Sequence, residues 1–227
     1  MTRSAGSLEG MCDCHMHIYD PRFTPQKPAS IPDRRGTVAD YRKVRERLGL
    51  ERVVIVQPTG YGTDNSCTLD AMKALGDGAR GVAVVAPGVE DAELERLTAA
   101  GIRGLRYVMF SHGTLKWETL TEMAARVATF GWNINLQLAG EELADHEAAL
   151  AALPCDLVID HIGRFTAPVD EKTPGVQTMH RLLDAGRCFV KLSAPYHGSK
   201  TGAPKYEDIG AIARALVRRW PEPLTES

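Results

Sequence analysis

Residues 52–86, RVVIVQPTGYGTDNSCTLDAMKALGDGARGVAVVA, decide the fold class of this chain of 227 residues. A valine-rich apolar run at residues 52–57 is followed by a stretch of helical period at 68–76 and by a second apolar run at 81–86. Short, continuously apolar runs are typical of strands in a parallel sheet that helices cover on both faces. The stretch therefore predicts a strand, a helix and a second, parallel strand.

The same alternation continues on both sides of this stretch. Seven strands are predicted, at residues 12–19, 52–57, 81–86, 102–109, 132–138, 156–161 and 188–193. Seven helices are predicted, at residues 38–48, 68–76, 91–100, 117–130, 141–153, 176–185 and 206–220. With no break in composition, this pattern predicts a single α/β domain over residues 1–227, either a (β/α)8 barrel or an open doubly wound sheet. Because the glycine-rich phosphate loops GxGxxG and GxxxxGK[ST] are absent, we favour the barrel.

Composition and charge limit the possible partners. The chain is 44% hydrophobic, and 27 Lys and Arg against 29 Asp and Glu give a formal net charge of −2, which provides no general attraction to nucleic acid or to an anionic membrane. No segment approaches the roughly 18 apolar residues of a membrane span, and the N-terminus lacks the apolar core of a signal peptide. The five cysteines form no CxxC unit, which favours reduced thiols. We expect a cytoplasmic protein that acts on a small molecule and binds neither nucleic acid nor a membrane.

The motif CDCHMHIYDP, at residues 12–21, places two histidines two positions apart on the first predicted strand. Because side chains alternate along a strand, the imidazoles of His15 and His17 should project from the same face. Two inward histidines need polar partners, and they can bind a metal or hold a substrate oxygen. A pair of hydrogen-bonded core histidines is the alternative.

The motif VIDHIGR, at residues 158–164, carries polar side chains where the sixth strand should leave the core. His161 at this strand end could converge with His15 and His17 on one site, as dispersed strand ends do in barrels. The alternative is that His161 only caps the strand and that Arg164 is a solvated loop charge.

Other strand ends also carry hydrogen-bonding or cationic side chains. An arginine can clamp a carboxylate through two parallel hydrogen bonds, so Arg106 and Arg164 favour an anionic ligand. A rim charge or a salt bridge between helices is the alternative for each of them. The remaining polar candidates at these ends are Gln57, Thr59, Tyr61, Gln137, Lys191, Ser193 and His197.

Five motifs, in the order DCHMHIYDPRF, QPTGYGTDN, GLRYV, VIDHIGR and KLSAPY, resemble the amidohydrolase superfamily. More narrowly, they resemble its branch of pyrone dicarboxylate lactonases and related lactone hydrolases. The motifs extend from residue 13 to residue 196, which is most of the chain. The resemblance implies a (β/α)8 barrel that opens a carboxylated lactone, a 2-pyrone-4,6-dicarboxylate or a sugar-acid lactone, by attack of water on the ring ester.

The resemblance also implies roles for individual residues. His15, His17 and His161 would polarise the carbonyl or steer the attacking water, because preorganised donors stabilise the negative charge that develops on the carbonyl oxygen. The residues expected to contact the substrate are Thr59, Tyr61, Arg106, Gln137 and Arg164.

The same resemblance implies that this chain lacks part of the set of residues that binds zinc in related enzymes. Zinc-using relatives complete the site with a histidine on the fifth strand and an aspartate on the eighth, whereas here Gln137 stands at the end of the fifth strand. A neutral amide is a poor zinc ligand, so we expect no cofactor and no tightly bound metal. The alternatives are a zinc-dependent decarboxylase or amidohydrolase of the same superfamily, and an inactive remnant that binds a small acid.

The last residues, PEPLTES at 221–227, contain two prolines and one large apolar side chain. We therefore expect no eighth strand there, and a barrel that lacks its last strand and helix. The resemblance places a catalytic aspartate on that strand, and a general base supplies about 10²- to 10⁴-fold in rate. Asp160 is a possible substitute, although strand alternation directs it and His161 to opposite faces. The unpaired edges of the first and last strands would make self-association possible.

Overall fold

Seven parallel strands alternate with seven α-helices in the computed structural model, which describes residues 10–28, 36–166 and 168–220. The chain divides into two compact units, Met1–Arg106 and Tyr107–Ser227, and the boundary falls within one strand. The expectation for residues 221–227 lies outside the described residues. No helix in the described part of the chain is long and apolar enough to cross a membrane.

The first unit contains the strands that bear the CDCHMH and QPTGY motifs. Neighbouring strands in the order β1-β2-β3-β4 are parallel. Its elements are β1 (Cys12–Met16), α1 (Val38–Leu48), β2 (Arg52–Val56), α2 (Ser66–Leu75), β3 (Ala79–Ala83), α3 (Asp91–Ala99) and β4 (Ile102–Val108), the last of which crosses the unit boundary.

The second unit contains the strands that bear the VIDHIGR and KLSAPY motifs. Its strands pair in parallel in the order β5-β6-β7. Its elements are α4 (Leu120–Ala128), β5 (Asn133–Gln137), α5 (Leu143–Ala151), β6 (Leu157–Ile159), α6 (Pro174–Asp184), β7 (Cys188–Val190) and α7 (Glu207–Arg219).

The apolar core of each unit lies along its strands. In the first unit, Val53, Ile55 and Val56 of β2 are almost completely buried, as the valine-rich run predicts. In the second unit, Ile134 and Leu136 of β5 are fully buried. Helix α4 buries Leu120, Met123, Ala124 and Val127, the i, i+3, i+4, i+7 spacing of one helix face.

Every predicted strand and helix is present, but the strands are shorter than predicted. The differences are mainly at the carboxyl ends: β1 ends at Met16 instead of residue 19, β3 at Ala83 instead of 86, β6 at Ile159 instead of 161, and β7 at Val190 instead of 193. Turns and one-turn 3₁₀ helices take over at these points, for example His161–Gly163 after β6 and Pro195–His197 after β7. The polar residues of the VIDHIGR and KLSAPY motifs therefore lie on the segments that follow β6 and β7.

Candidate active site

The two histidines of the CDCHMH motif meet at the carboxyl end of β1. The Nε2 atoms of His15 and His17 lie 3.4 Å apart, and the two rings meet edge to face with centroids 4.9 Å apart. The Nδ1 atom of His17 lies 2.7 Å from the carbonyl oxygen of Val56 at the end of β2. Because a carbonyl oxygen only accepts, Nδ1 of His17 carries a proton and donates it. The imidazoles thus project to the same side, as their spacing predicts.

A bulge in β1, between Asp13 and Met16, includes the first of these two histidines. Asp13 pairs with Val53 and Met16 pairs with Ile55, so β1 contains one residue more than β2 over the same interval. The backbone N–H of His15 donates to Oδ1 of Asp13 at 3.1 Å within this irregular segment. Bulges re-aim side chains and are common beside functional sites. The alternating pattern of the sequence contains no signal for this extra residue.

Tyr61 holds the segment that follows β1. The hydroxyl of this buried tyrosine accepts from the N–H of Asp20 and donates to the carbonyl oxygen of Asp20, both at 3.1 Å. Tyr61 closes the 3₁₀ helix Thr59–Tyr61, in which Thr59 is half-buried. The hydroxyl of Tyr61 is therefore engaged with the main chain, and contact of Thr59 or Tyr61 with a substrate stays a prediction.

Gln57 organises the same turn from within the core. Its Nε2 donates to the carbonyl oxygens of Gly62 and Asp64, at 3.2 and 2.7 Å, and its Oε1 accepts from the hydroxyl of Thr68 at 2.6 Å. The main-chain carbonyl of Gln57 accepts from a guanidinium N–H of Arg106 at 2.8 Å. Arg106 is only 5% exposed, so this arginine supports the end of β2 from β4, and its predicted contact with a substrate carboxylate is untested by this geometry.

His161 lies on a left-handed turn at the end of β6. Four successive residues have positive φ: His161 (57°), Ile162 (56°), Gly163 (75°) and Arg164 (44°). Three of these are not glycine, and such backbone costs of order 1–3 kcal/mol per residue unless the surroundings impose it. Strain of this kind is concentrated at functional sites. This turn is the strongest backbone sign of function in the described part of the chain.

The segment after β7 packs against the ring of His161. Nδ1 of His161 lies 2.9 Å from the hydroxyl oxygen of Ser193, and the ring of His197 lies 5.3 Å from that of His161. Tyr196, whose ring is 4.7 Å from that of His197, is 65% exposed. The structure therefore brings His161, Ser193 and His197 together within the second unit, and the convergence of His161 with His15 and His17 stays a prediction.

A buried ion pair lies beside His161. Nζ of Lys191 is 3.1 Å from Oδ1 of Asp160 and donates to Oδ1 of Asn135 at 2.5 Å. The side chains of Lys191 and Asp160 are only 9% and 0% exposed. Lys191 and Asp160 are candidates from the sequence because they stand at predicted strand ends. Asn135 was not predicted, although a polar residue within an apolar strand is a signal for it.

Arg164 lies over an aromatic ring. Its guanidinium carbon is 4.1 Å from the centre of the Phe110 ring, and His112 stacks on Phe110 with parallel rings at 6.0 Å. Burial lowers the pKa of Arg164 below its ordinary value. Within the described residues the guanidinium makes no hydrogen bond and no ion pair. A half-buried cation held on an aromatic face is suited to an anionic ligand.

Gln137 is the last residue of β5 and is almost completely buried. Its carbonyl oxygen accepts from the N–H of Met109 at 2.8 Å. This hydrogen bond fixes the main chain of Gln137, and the predicted role of its amide in substrate binding stays a prediction.

The histidine pair of the first unit fits part of a metal site. Zn–N bonds of about 2.0–2.1 Å place two nitrogens of a tetrahedral site about 3.4 Å apart. The Nε2 atoms of His15 and His17 have this separation, so the pair could supply two ligands. A catalytic zinc normally has three protein ligands, so this pair alone does not complete a set. The expectation of no tightly bound metal therefore stays a prediction.

A family model described as amidohydrolase matches residues 12–222. The chain belongs to the amidohydrolase family. It is 32% identical to the 2-pyrone-4,6-dicarboxylate hydrolase of Comamonas testosteroni over 94% of this chain and 74% of that protein. It is 29% identical to the D-galactarolactone isomerase of Agrobacterium fabrum, over 94% of this chain and 73% of that protein.

A solved structure shows the same fold. The crystal structure of an Agrobacterium tumefaciens protein in its apo form superimposes with a TM-score of 0.87 at 28% identity, covering 93% of this chain and 78% of that one. With the parallel strands and alternating helices, this similarity assigns the chain to the (β/α)8-barrel class, of which the described residues form seven βα units. The predicted fold class is confirmed.

Proposed function

We propose that this protein hydrolyses a carboxylated lactone by attack of water on the ring ester. The observation that carries the proposal is the approach of Nε2 of His15 and Nε2 of His17 to 3.4 Å at a strand end. The names of two relatives, a 2-pyrone-4,6-dicarboxylate hydrolase and a D-galactarolactone isomerase, supply the class of substrate. A pyrone dicarboxylate and a sugar-acid lactone are therefore the first compounds to test.

The proposed reaction assigns a task to each histidine. Water adds to the ester carbonyl carbon, the ring C–O bond breaks, and the ring oxygen leaves with a proton. His15 donates a hydrogen bond to the carbonyl oxygen, where negative charge develops. Nε2 of His17, whose Nδ1–H already donates to the carbonyl oxygen of Val56, accepts a hydrogen bond from the attacking water. His161, whose Nδ1 lies on the hydroxyl of Ser193, orients the attacking water. Asp160 is a poor general base because it is buried against the ammonium group of Lys191.

The environment of Arg164 favours a substrate that carries a negative charge. Its guanidinium is half-buried on Phe110 and has no counter-ion within the described residues. Taking a guanidinium partly out of water without a partner is costly, and a substrate carboxylate would offset this cost. We assign one substrate carboxylate to Arg164.

The test is hydrolysis of 2-pyrone-4,6-dicarboxylate and of a sugar-acid lactone by the purified chain of 227 residues. Products are identified by NMR, because ring opening and isomerisation give different spectra. Circular dichroism during urea titration establishes that the sample unfolds cooperatively. Ring opening by a folded sample supports the proposal, whereas a folded sample that opens neither lactone contradicts it.

A zinc-dependent decarboxylase or amidohydrolase is the second candidate. The separation of 3.4 Å between the Nε2 atoms of His15 and His17, which suits two ligands of one zinc ion, is the observation that favours it. Treatment with a chelator, followed by addition of zinc, separates the two candidates. Activity that persists after chelation supports the metal-independent lactonase, and activity that is lost and then restored by zinc supports the second candidate.

We also propose a cytoplasmic location and self-association through free strand edges. Within the described residues, β1 pairs with β2 and β7 pairs with β6, and each edge strand has backbone groups that can pair with another chain. Sedimentation at several protein concentrations tests the self-association.

A further inference from the structure

The main chain of Lys191 is hydrogen-bonded to residues on both sides of His161. Its backbone N–H donates to the carbonyl oxygen of Ile159 at 2.9 Å, and its carbonyl oxygen accepts from the N–H of Ile162 at 3.0 Å. Ile159 is the last residue of β6, and Ile162 follows His161 directly. The main chain of Lys191 therefore fixes the residue before the turn, Ile159, and the second residue of the turn, Ile162.

The side chain of Lys191 adds a third link to the same segment. Its ammonium group lies 3.1 Å from Oδ1 of Asp160, the residue directly before His161, and donates to Oδ1 of Asn135 in β5. Both members of the ion pair are nearly or fully buried, so the pair is screened little by water. The ammonium of Lys191, directly after β7, thereby connects the middle of β5 with the residue that directly follows β6.

These contacts act on a backbone that needs support. His161 has a φ of 57°, and a left-handed conformation of a residue other than glycine persists only where its surroundings over-determine it. Lys191 contacts the residues on both sides of His161. We infer that Lys191 is a positioning residue that holds the imidazole of His161 in its working orientation, an inference that rests on the proposed role of His161.

The test replaces the ion pair as a unit. Lys191→Met alone would leave the carboxylate of Asp160 buried without its cation, which strongly destabilises a fold. The double variant Asp160→Asn/Lys191→Met removes both charges and keeps similar side-chain volumes. Lys205→Met is the matched control, because Lys205 is a highly exposed lysine whose salt-bridge partner is Glu207.

Steady-state kinetics should distinguish a positioning role of Lys191 from a role in substrate binding. In the double variant we expect kcat for the lactone to fall about 10²-fold, the size of effect that a displacement of about 1 Å at a reacting group produces. We expect KM to change less than twofold, because the role inferred for Lys191 is to position His161 and not to bind the substrate. Lys205→Met should retain the wild-type kcat and KM.

A spectroscopic readout makes the test independent of turnover. With ¹⁵N-labelled histidine, the imidazole signals of the seven histidines report ring protonation and orientation. We expect the His161 signals to move in the double variant while those of His146, on α5, stay in place. If the wild type opens no lactone but the His161 signals move, the proposed function fails and the positioning role stands.

Two results would overturn the inference. One is a folded double variant with wild-type kcat and wild-type His161 signals. If the double variant does not fold, Asn135→Ala removes one partner of the ammonium and keeps both charges. Movement of the His161 signals in Asn135→Ala then supports the role of Lys191, and unmoved signals are the second result that overturns it.

Discussion

The guanidinium carbon of Arg164 lies 4.1 Å from the centre of the Phe110 ring. Phe110 follows β4, and Arg164 ends the left-handed turn after β6, so the contact joins two segments that carry predicted site residues. An aromatic face holds a cation in place without neutralising its charge. Arg164 is therefore oriented yet still able to pair with an anion.

The first prediction concerns this arginine. Arg164→Ala should raise KM for a dicarboxylate lactone about 10- to 100-fold, the equivalent of a lost charge-assisted hydrogen bond, with kcat within threefold of wild type. A lactone with no carboxylate should be much less affected. Steady-state kinetics with both substrates check this, and Arg218→Ala, at an exposed position of α7, is the control. Equal effects on the two substrates would show that Arg164 does not bind a carboxylate.

The second prediction concerns the histidine pair. His15→Ala should lower kcat about 10²- to 10³-fold, the cost of removing one donor to a developing oxyanion. The urea midpoint should stay close to that of the wild type, because His15 is only half-buried. His146→Ala is the control, since His146 lies on α5, stacks on Trp117 with ring centroids 3.7 Å apart, and is not one of the predicted site residues. Unchanged turnover in His15→Ala would remove this histidine from the mechanism.

The third prediction concerns pH and His180 on α6. Burial lowers the pKa of this histidine, and the positive charge of Arg219 adds to the effect. Its ring packs against Trp220 with centroids 5.3 Å apart. In the unfolded chain the imidazole takes up a proton below its ordinary pKa of about 6.5, whereas in the folded chain it does so only at lower pH. The free energy of unfolding should therefore fall as the pH drops from about 6.5 towards the folded-state pKa.

Urea titrations at pH 7.5 and pH 5.5 measure this effect. His180→Phe, which cannot titrate, should lose less stability between the two pH values than the wild type does. His180→Gln, which also cannot titrate but keeps a polar side chain, serves as the matched variant and should show the same reduced loss. An identical pH dependence in His180→Phe and wild type would exclude His180 as the cause.

The fourth prediction concerns a close approach of two main-chain segments. A Cβ atom at Gly175, in the first turn of α6, would overlap the carbonyl oxygen of Gly140. Gly175→Ala should therefore lower the free energy of unfolding by about 1–3 kcal/mol, the usual cost of overpacking. Gly88→Ala, where a Cβ would meet nothing within 4 Å, should change it by less than about 0.5 kcal/mol. Equal urea midpoints for the two variants would contradict the predicted overlap.

Most of the fold could be predicted from the sequence because its signals are local. Helix α1 has the predicted bounds, Val38–Leu48, since a Thr37–Asp40 capping box begins it and Gly49, with a φ of 67°, ends it. The strand ends were predicted less accurately than the bounds of this helix. β6 stops at Ile159 because His161 adopts positive φ, and an apolar pattern does not report where the backbone turns.

The candidate site could be predicted only in part, for the same reason. The approach of His15 and His17 follows from their spacing of two residues. Lys191 and Asn135, by contrast, are 56 residues apart, and Arg164 meets Phe110 through the tertiary fold. No periodicity connects such positions, so the polar partners of His161 and the aromatic support of Arg164 became visible only in the structure.

The left-handed turn at residues 161–164 determines which substitutions are informative at His161. Alanine there would remove the imidazole and also leave a side chain that disfavours a φ of 57°, so a loss of activity would mix chemistry with backbone relaxation. Asparagine is several-fold enriched in this conformation. His161→Asn therefore deletes the ring while preserving the path of the chain, and a knockout series, a directed-evolution library or a crystallographic trapping variant built on this histidine should start from asparagine.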